Sequence, residues 1–304
     1  MNRLRPLLLL LFAGLAGLAL FVSRSDATPE TIKRVAPGIY FREGDLEQLG
    51  HCNNVIIEMK DYLIVVDANF PSGARAAMAD AKRVSSKPVK YVFDTHHHGD
   101  HLYGNVLWTQ AGATTLAFKG VTEELKRLEP ARWEEAAKTR KDVAELNQPG
   151  PEPPKQTINE LQFVLNDGSR KVEFRHFGWA HTKGDGFVYL PKEQVLCTGD
   201  AVVNGPYNFT GDGNVANWPT VLQAAAKLKV KIVLPGHGLD SGPELISGQA
   251  QFMTELNKAV RAGKAQGKKL EELQASIHLP ASVSNWVGEK TLSAQIKDAF
   301  DQMK

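Results

Sequence analysis

The stretch Thr95-His96-His97-His98-Gly99-Asp100-His101 constrains this chain more than any other. Four of its residues, His96, His98, Asp100 and His101, are metal-binding side chains spaced as H-x-H-x-D-H. They follow the apolar run Tyr91-Val92-Phe93, which predicts a strand delivering ligands to a loop. In extended backbone, residues two apart point the same way, so His96 and His98 converge while His97 points elsewhere. Asp100 and His101 come after Gly99, where the chain can turn, and residues 102–106 can open a helix. From there they can face a second ion, which two-metal sites hold roughly 3.5 to 4 Å from the first. Imidazoles and carboxylates together are typical zinc ligands. A histidine-rich surface loop is the alternative, but it does not account for an Asp-His pair at fixed offset directly after a strand.

The first thirty residues stand apart from the fold. Arg3 and Arg5 form a basic start, residues 7–22 are an unbroken apolar and glycine run, and Ser25-Asp26-Ala27 offers small residues where a signal peptidase reads. The expectation is a signal peptide over 1–27, cleaved after Ala27, and a periplasmic or secreted mature protein with no stable membrane partner. An uncleaved anchor is the competing reading, since the run falls just short of the roughly 18 to 20 residues that span comfortably. No twin-arginine motif is present, so export unfolded and metal loading afterwards are expected. Two cysteines in an exported chain, Cys52 and Cys197, can pair, but two so far apart make no disulfide framework. They read as small buried hydrophobes.

The remaining 277 residues have the composition of a soluble globular protein. Across the full 304 residues, 36 basic side chains balance 34 acidic ones and 42% are hydrophobic, so charge selects no class of partner. No basic run interleaved with aromatics points to nucleic acid. A small-molecule substrate is the expected partner.

Along the chain, residues 55–59 and 62–66 are β-branched runs separated by Lys60-Asp61, a predicted hairpin whose second strand ends at Asp67. A carboxylate there needs hydrogen-bond donors. Residues 73–84 read as a helix capped by Ser72, then 89–93 as the strand before the histidines. A strand over 114–118 and a helix over 121–128 follow. The charged segment 129–147 reads as a separate, solvated helix with a proline-rich return over 149–154, and as an alternative could cover the site as a lid. Strands are then predicted over 161–165 and 171–177, joined by the turn Asn166-Asp167-Gly168, with Val172, Phe174 and His176 alternating with polar residues. Further strands cover 187–190, 194–197 and 231–234, with a helix over 219–228. His181, Asp200 and His237 each lie just past a predicted strand, where layered α/β folds place chemical groups. Residues 244–265, 270–277 and 291–304 read as outer helices without obvious chemistry.

These separated motifs resemble the metallo-β-lactamase superfamily of binuclear metallohydrolases, in family order from about Gly38 to Asp240. The resemblance implies an α/β fold, a four-layer αβ/βα sandwich of two mixed sheets, forming one domain over 28–304 with a helical C-terminal extension from about 243. It implies that His96, His98 and His181 hold one metal ion and that Asp100, His101 and His237 hold another. Asp200, in Thr198-Gly199-Asp200, matches the aspartate that bridges both ions in glyoxalase II-like and lactonase-like members. Asp67 matches the structural aspartate beneath the site. Two zinc ions are expected, and the oxygen-containing ligand set also tolerates iron or manganese. His51, His97, His176 and His278 match no family role.

The implied function is hydrolysis of an ester, lactone, thioester or similar bond by a metal-bridging hydroxide, with Asp100 as a catalytic residue orienting it. True β-lactamases of the family carry Cys or Ser in the region of Asp200, which sets β-lactam hydrolysis second. His98 stands where diiron flavoprotein members carry an acidic residue, which favours hydrolysis over redox chemistry. A metal-binding accessory protein without turnover is the alternative of another class. Tyr207 and Asn208 are candidate oxyanion donors. Trp179 either walls the cleft or fills the core.

Overall fold

The computed structural model describes residues 31–288 and 291–303. The expected signal peptide therefore lies outside the described residues. Among those described, no helix is long and apolar enough to cross a membrane.

Two sheets face each other. The first carries β1 (Ile32–Ala36), β2 (Ile39–Arg42), β3 (Asn54–Glu58), β4 (Leu63–Val66), β5 (Val89–Phe93), β6 (Thr114–Phe118) and β7 (Gln156–Ile158), side by side in chain order. Strands β1 to β4 run antiparallel, and β4 to β7 run parallel. The second sheet has the order β12-β11-β10-β9-β8, built from β8 (Gln162–Asn166), β9 (Lys171–Arg175), β10 (Phe187–Leu190), β11 (Val195–Cys197) and β12 (Ile232–Leu234). Only its β11–β12 pair is parallel.

Period-two alternation distributes the apolar side chains among layers. Ile57, Val66, Phe93 and Leu116 of the first sheet meet Phe174, Val188, Cys197 and Leu234 of the second in a central core. Their chain neighbours Ile56, Val65 and Val92 point outward against α1 (Pro71–Val84), whose Ala74, Ala77 and Ala81 let the helix approach closely. Leu196 and Val233 point out of the other sheet against α6 (Trp218–Ala225) and α7 (Glu244–Ala265). The architecture is therefore helix, sheet, sheet, helix, as expected. Smaller helices α2 (Gly99–Leu102), α3 (Asn105–Gln110), α4 (Lys119–Thr139) and α5 (Lys141–Ala144) lie between β5 and β7. After α7 come α8 (Leu270–Ser276) and α9 (Leu292–Gln302).

Several expectations need correction. Ser72 is not a cap, because Pro71 takes the first helical position and starts α1 two residues earlier than expected, which places Ser72 inside the helix. The Ser72 hydroxyl instead donates to Asp142, at 2.6 Å. Asp100 and His101 lie on the short helix α2, not in a loop beyond a turn. Residues 119–139 form one helix that runs through Pro130, not two. Val121, Leu125 and Trp133 are buried on both sides of the proline and hold the axis in place despite the missing N–H. That face is packed, so the segment is not a solvated excursion. After the proline-rich return, Gln156–Ile158 adds the edge strand β7, too short to show a period.

Cys52 and Cys197 are both buried free thiols, which the reading as small hydrophobes anticipates. Burial pushes the Cys52 thiol up to about 12 and raises Cys197 as well.

Candidate metal centre

The strand ends converge on one edge of the sandwich. Beyond β4, Asp67 takes a left-handed backbone conformation at φ 67°, which Asp tolerates better than most residues. Its Oδ1 accepts from the Thr95 amide at 2.7 Å, and its Oδ2 lies 3.0 Å from His101 Nδ1. This carboxylate therefore fixes both the start of the histidine stretch and one of its rings, as its expected role beneath the site requires.

Three imidazole nitrogens meet first. His96 Nε2 lies 3.1 Å from His98 Nδ1, and His181 Nε2 lies 3.0 Å from the same atom. The opposite nitrogen of each ring has its own oxygen partner: Thr95 Oγ1 for His96 at 3.0 Å, Asp212 Oδ2 for His98 at 2.8 Å, and the Phe209 carbonyl for His181 at 3.0 Å. Outer partners of this kind fix tautomer and ring orientation, leaving the inner lone pairs aimed at a common point. Burial first, then the neighbouring imidazoles, keep His96 and His181 in the neutral form, with His181 lowered to about 3.

The second group is charged differently. His237 Nε2 lies 3.1 Å from Asp100 Oδ2 and 3.4 Å from His101 Nε2, and His101 Nε2 lies 3.4 Å from Asp100 Oδ2. Burial works against protonating His237, yet Asp200 and Asp100 override it and raise its pKa to about 9. Burial likewise opposes protonation of His101, and Cys52, Asp200, Asp100 and Asp67 overcome it. Conversely, burial would raise the two carboxyls, but His101 and His237 hold Asp100 and Asp200 below the usual range.

Asp200 stands between the groups. Its Oδ2 is 3.3 Å from His237 Nε2, 3.7 Å from His181 Nε2 and 4.0 Å from His96 Nε2, while Oδ1 is 3.2 Å from His101 Nε2. That Oδ1 is buried and finds no hydrogen-bond partner among the described residues. An oxygen so placed is costly unless something else takes it, and a cation could. Donor atoms of His96, His98 and His181, of His96, His101 and Asp200, and of Asp100, His101 and His237 each lie within 4.8 Å of one another. The donor set fits two divalent ions. All seven residues singled out from the sequence are thus brought together.

Sequence reasoning missed the wall behind this group. His97 is not an idle residue: it is fully buried, with Nε2 3.3 Å from Asp212 Oδ2 and 3.7 Å from Glu129 Oε1. Arg132 of α4 grips Asp212 through both terminal nitrogens, at 2.6 and 2.9 Å, and reaches Glu129 at 3.0 Å. Glu129 also accepts from the Tyr103 hydroxyl at 2.6 Å. These side chains come from distant parts of the chain and look like ordinary surface charges one at a time. Desolvation would raise Asp212, and hydrogen bonds from His97, His98 and Arg132 hold it well below the carboxylate range instead.

Of the other expectations, Tyr207 lines the cleft with its ring 6.2 Å from that of His237. Asn208 does not: it is buried, its side chain accepts from Gln249 of α7, and its carbonyl accepts from Gln295 of α9. Trp179 neither walls the cleft nor fills the core. It is half-buried and donates to the Asp212 carbonyl at 2.8 Å, supporting the loop that carries Asp212. His51 is buried, with Nε2 2.7 Å from Ser72 Oγ, while His278 is exposed. His176 Nδ1 lies 2.8 Å from the Asp185 carbonyl.

Comparison with known proteins agrees with this fold. The sec-alkylsulfatase Pisa1 of a Pseudomonas species superposes with a TM-score of 0.71 at 18% identity, covering 90% of this chain and 50% of that one. The metallo-beta-lactamase of Pontibacter korlensis gives 0.60 at 18% identity, covering 74% and 98%. The type 2 metallo-beta-lactamases of Bacillus sp. (strain 170) and Bacillus cereus are each 27% identical, over 192 and 194 residues. Those alignments cover 61% of this chain and 66% of each relative, so the chain spans just under two thirds of their length. The model of the metallo-beta-lactamase superfamily matches residues 48–237, more than half of the sequence, and the chain belongs to that superfamily.

Proposed function

We propose that the protein is an exported, zinc-dependent hydrolase that uses two ions to cleave an ester, lactone, thioester or similar bond in a small molecule. One observation carries the reading: Asp200 stands between two groups of three donors, 3.7 Å from His181 in the first and 3.3 Å from His237 in the second, and its buried Oδ1 has no hydrogen-bond partner among the described residues. In this reading His96, His98 and His181 hold the first ion, Asp100, His101 and His237 hold the second, and Asp200 bridges them. Bound there, divalent ions supply an activated water at neutral pH and a Lewis acid for the polarised oxygen of the substrate.

The chain's own groups do the rest. Asp100 is the least buried of the carboxylates at the site, at 20% side-chain exposure, and faces the cleft where it can orient the attacking water and take its proton. Tyr207 lines the same cleft and is the candidate donor to a developing oxyanion. Thr95, Asp212 and the Phe209 carbonyl hold the rings of the first group in register.

Export rests on the basic start, the apolar run and the Ser25-Asp26-Ala27 site. Mass spectrometry of the mature protein should find Thr28 at its N-terminus; an intact Met1 on a membrane-bound form would overturn it. β-Lactam hydrolysis is the second reading, favoured by the similarity to the two Bacillus enzymes named metallo-beta-lactamase type 2. The test is metal content together with a panel holding a chromogenic β-lactam, a lactone, a thioester, and carboxylic, phosphate and sulfate esters. Two equivalents of zinc with turnover of an ester, lactone or thioester support the first reading. Turnover of the β-lactam alone moves the function to the second, and metal without any turnover sinks both.

A further inference from the structure

The cleft above Asp100, Asp200 and His237 is a cavity of about 390 Å³ with an uneven lining. Leu46, Phe70, Tyr103, Ala136, Tyr207 and Phe209 supply its apolar surface. Phe70 and Tyr103 meet edge to face with centroids 5.7 Å apart. The Tyr103 hydroxyl is committed to Glu129, so this residue offers the cleft its ring. Phe209 is the informative one. Half of its surface is exposed, with its ring 5.4 Å from that of His98, while its carbonyl accepts from His181. A large aromatic left in water beside a reactive centre awaits an apolar partner.

Charge narrows the class further. Arg132 is the one Lys or Arg among the lining residues, and its guanidinium is already taken by Asp212 and Glu129. One positive group against two carboxylates leaves that wall with no cation to spare. A second anionic group on a substrate, away from the reacting bond, would face aromatic rings and carboxylates instead of a counter-ion.

We propose that the cleft selects substrates whose body beside the scissile bond is uncharged and apolar, an acyl or alkyl chain, and that Phe209 is the specificity-determining residue that packs on it. The inference rests on the hydrolase reading and adds the substrate class to it. Removing about one methylene's worth of apolar surface from water is worth a factor of about four in binding. That factor sets the expected slope.

The experiment uses the zinc-loaded mature protein and p-nitrophenyl esters from acetate to decanoate, with the mono-p-nitrophenyl ester of adipic acid as the charged counterpart of the hexanoate. The expected result is kcat/KM rising about fourfold per methylene until the cleft is full, and falling at least about tenfold when the chain ends in a carboxylate. Phe209→Ala should flatten the slope through KM, and Phe209→Leu should restore most of it. Binding of the neutral fluorophore N-phenyl-1-naphthylamine is read in parallel, with Phe209→Ala weakening it about fivefold or more. Ester turnover with a flat profile, or a preference for the charged ester, overturns the substrate class and leaves the hydrolase standing. If no ester turns over, the fluorophore decides: binding that depends on Phe209 keeps the apolar cleft while the ester chemistry falls, and binding that is absent or indifferent to Phe209 overturns it.

Discussion

Asp212 Oδ2 lies 2.8 Å from His98 Nε2, on the far side of the ring from the Nδ1 that faces His96 and His181. The carboxylate thus determines which nitrogen of His98 is left bare. Truncation by Asp212→Ala frees the ring to turn and strands Arg132 beside Glu129. Zinc affinity should fall about 10- to 100-fold, read by competition with a chromogenic chelator, while the far-ultraviolet circular dichroism is unchanged. Unaltered affinity would show that His98 needs no such partner.

Gly236 sits where a side chain cannot. A Cβ there would lie 2.0 Å from Asp200 Oδ1 and 2.7 Å from the Gly199 carbonyl carbon. Gly236→Ala must therefore displace Asp200, and elemental analysis after desalting should find fewer than two zinc equivalents. Gly150→Ala, with open space around the added carbon, is the control and should retain both.

The two groups should respond differently to pH. His237 has its pKa raised to about 9 in the metal-free fold, above the ordinary value of 6.5, so the stability it adds is complete below pH 6.5 and is lost as pH rises through about 9. Zinc has to displace that proton. Titrating the metal-free protein with zinc at pH 7.5 should release protons, visible as a dependence of the calorimetric enthalpy on buffer, and the release should shrink as the pH rises through about 9, with any remainder coming from His101, which is raised as well. His181, lowered to about 3, is already neutral at pH 5. Lowering the pH from 7 to 5 should consequently strip the equivalent held by Asp100, His101 and His237 before the other.

Asp67 joins β4 to the histidine stretch through Thr95 and His101. Asp67→Ala leaves the buried Thr95 amide without its acceptor, removes the carboxylate 3.0 Å from the buried His101 ring, and puts alanine in the left-handed region. The expected loss is about 3 kcal/mol or more of folding stability, measured by chemical denaturation of the metal-free protein. A loss below about 1 kcal/mol would mean that water replaces the carboxylate, making its role one of alignment only.

Four of the seven donors were legible because H-x-H-x-D-H is dense enough to be read in one place, while His181, Asp200 and His237, each just past a predicted strand, were singled out by the family resemblance. The four layers came from the resemblance, and pairs such as Ile56-Ile57 and Val65-Val66, apolar on both faces, agree with it, as strands covered on both sides must be. The outer partners were not legible. Arg132 and Asp212 are 80 residues apart, and nothing local distinguishes them from solvated charges. His97 looked idle because its partners come from α4 and from the loop after Asp200. Asn208 was misjudged because its orientation is decided by Gln249 and Gln295, in helices whose sequence shows only an apolar stripe. Ser72 seemed a cap because propensity at that position is outweighed by Pro71 next to it.

Each triple draws two residues from the end of β5 and one from the opposite sheet: His181 after β9, His237 after β12. An ion held in either group would act as a rivet between the two halves of the sandwich, opposing their separation more than the fraying of either. The last donor is also late, since His237 comes 136 positions after His101. On a growing chain the first triple cannot close before β9 has been made and docked, nor the second before β12 has. Metal would thus seal an assembled molecule, and its slow loss would time how often the two halves part.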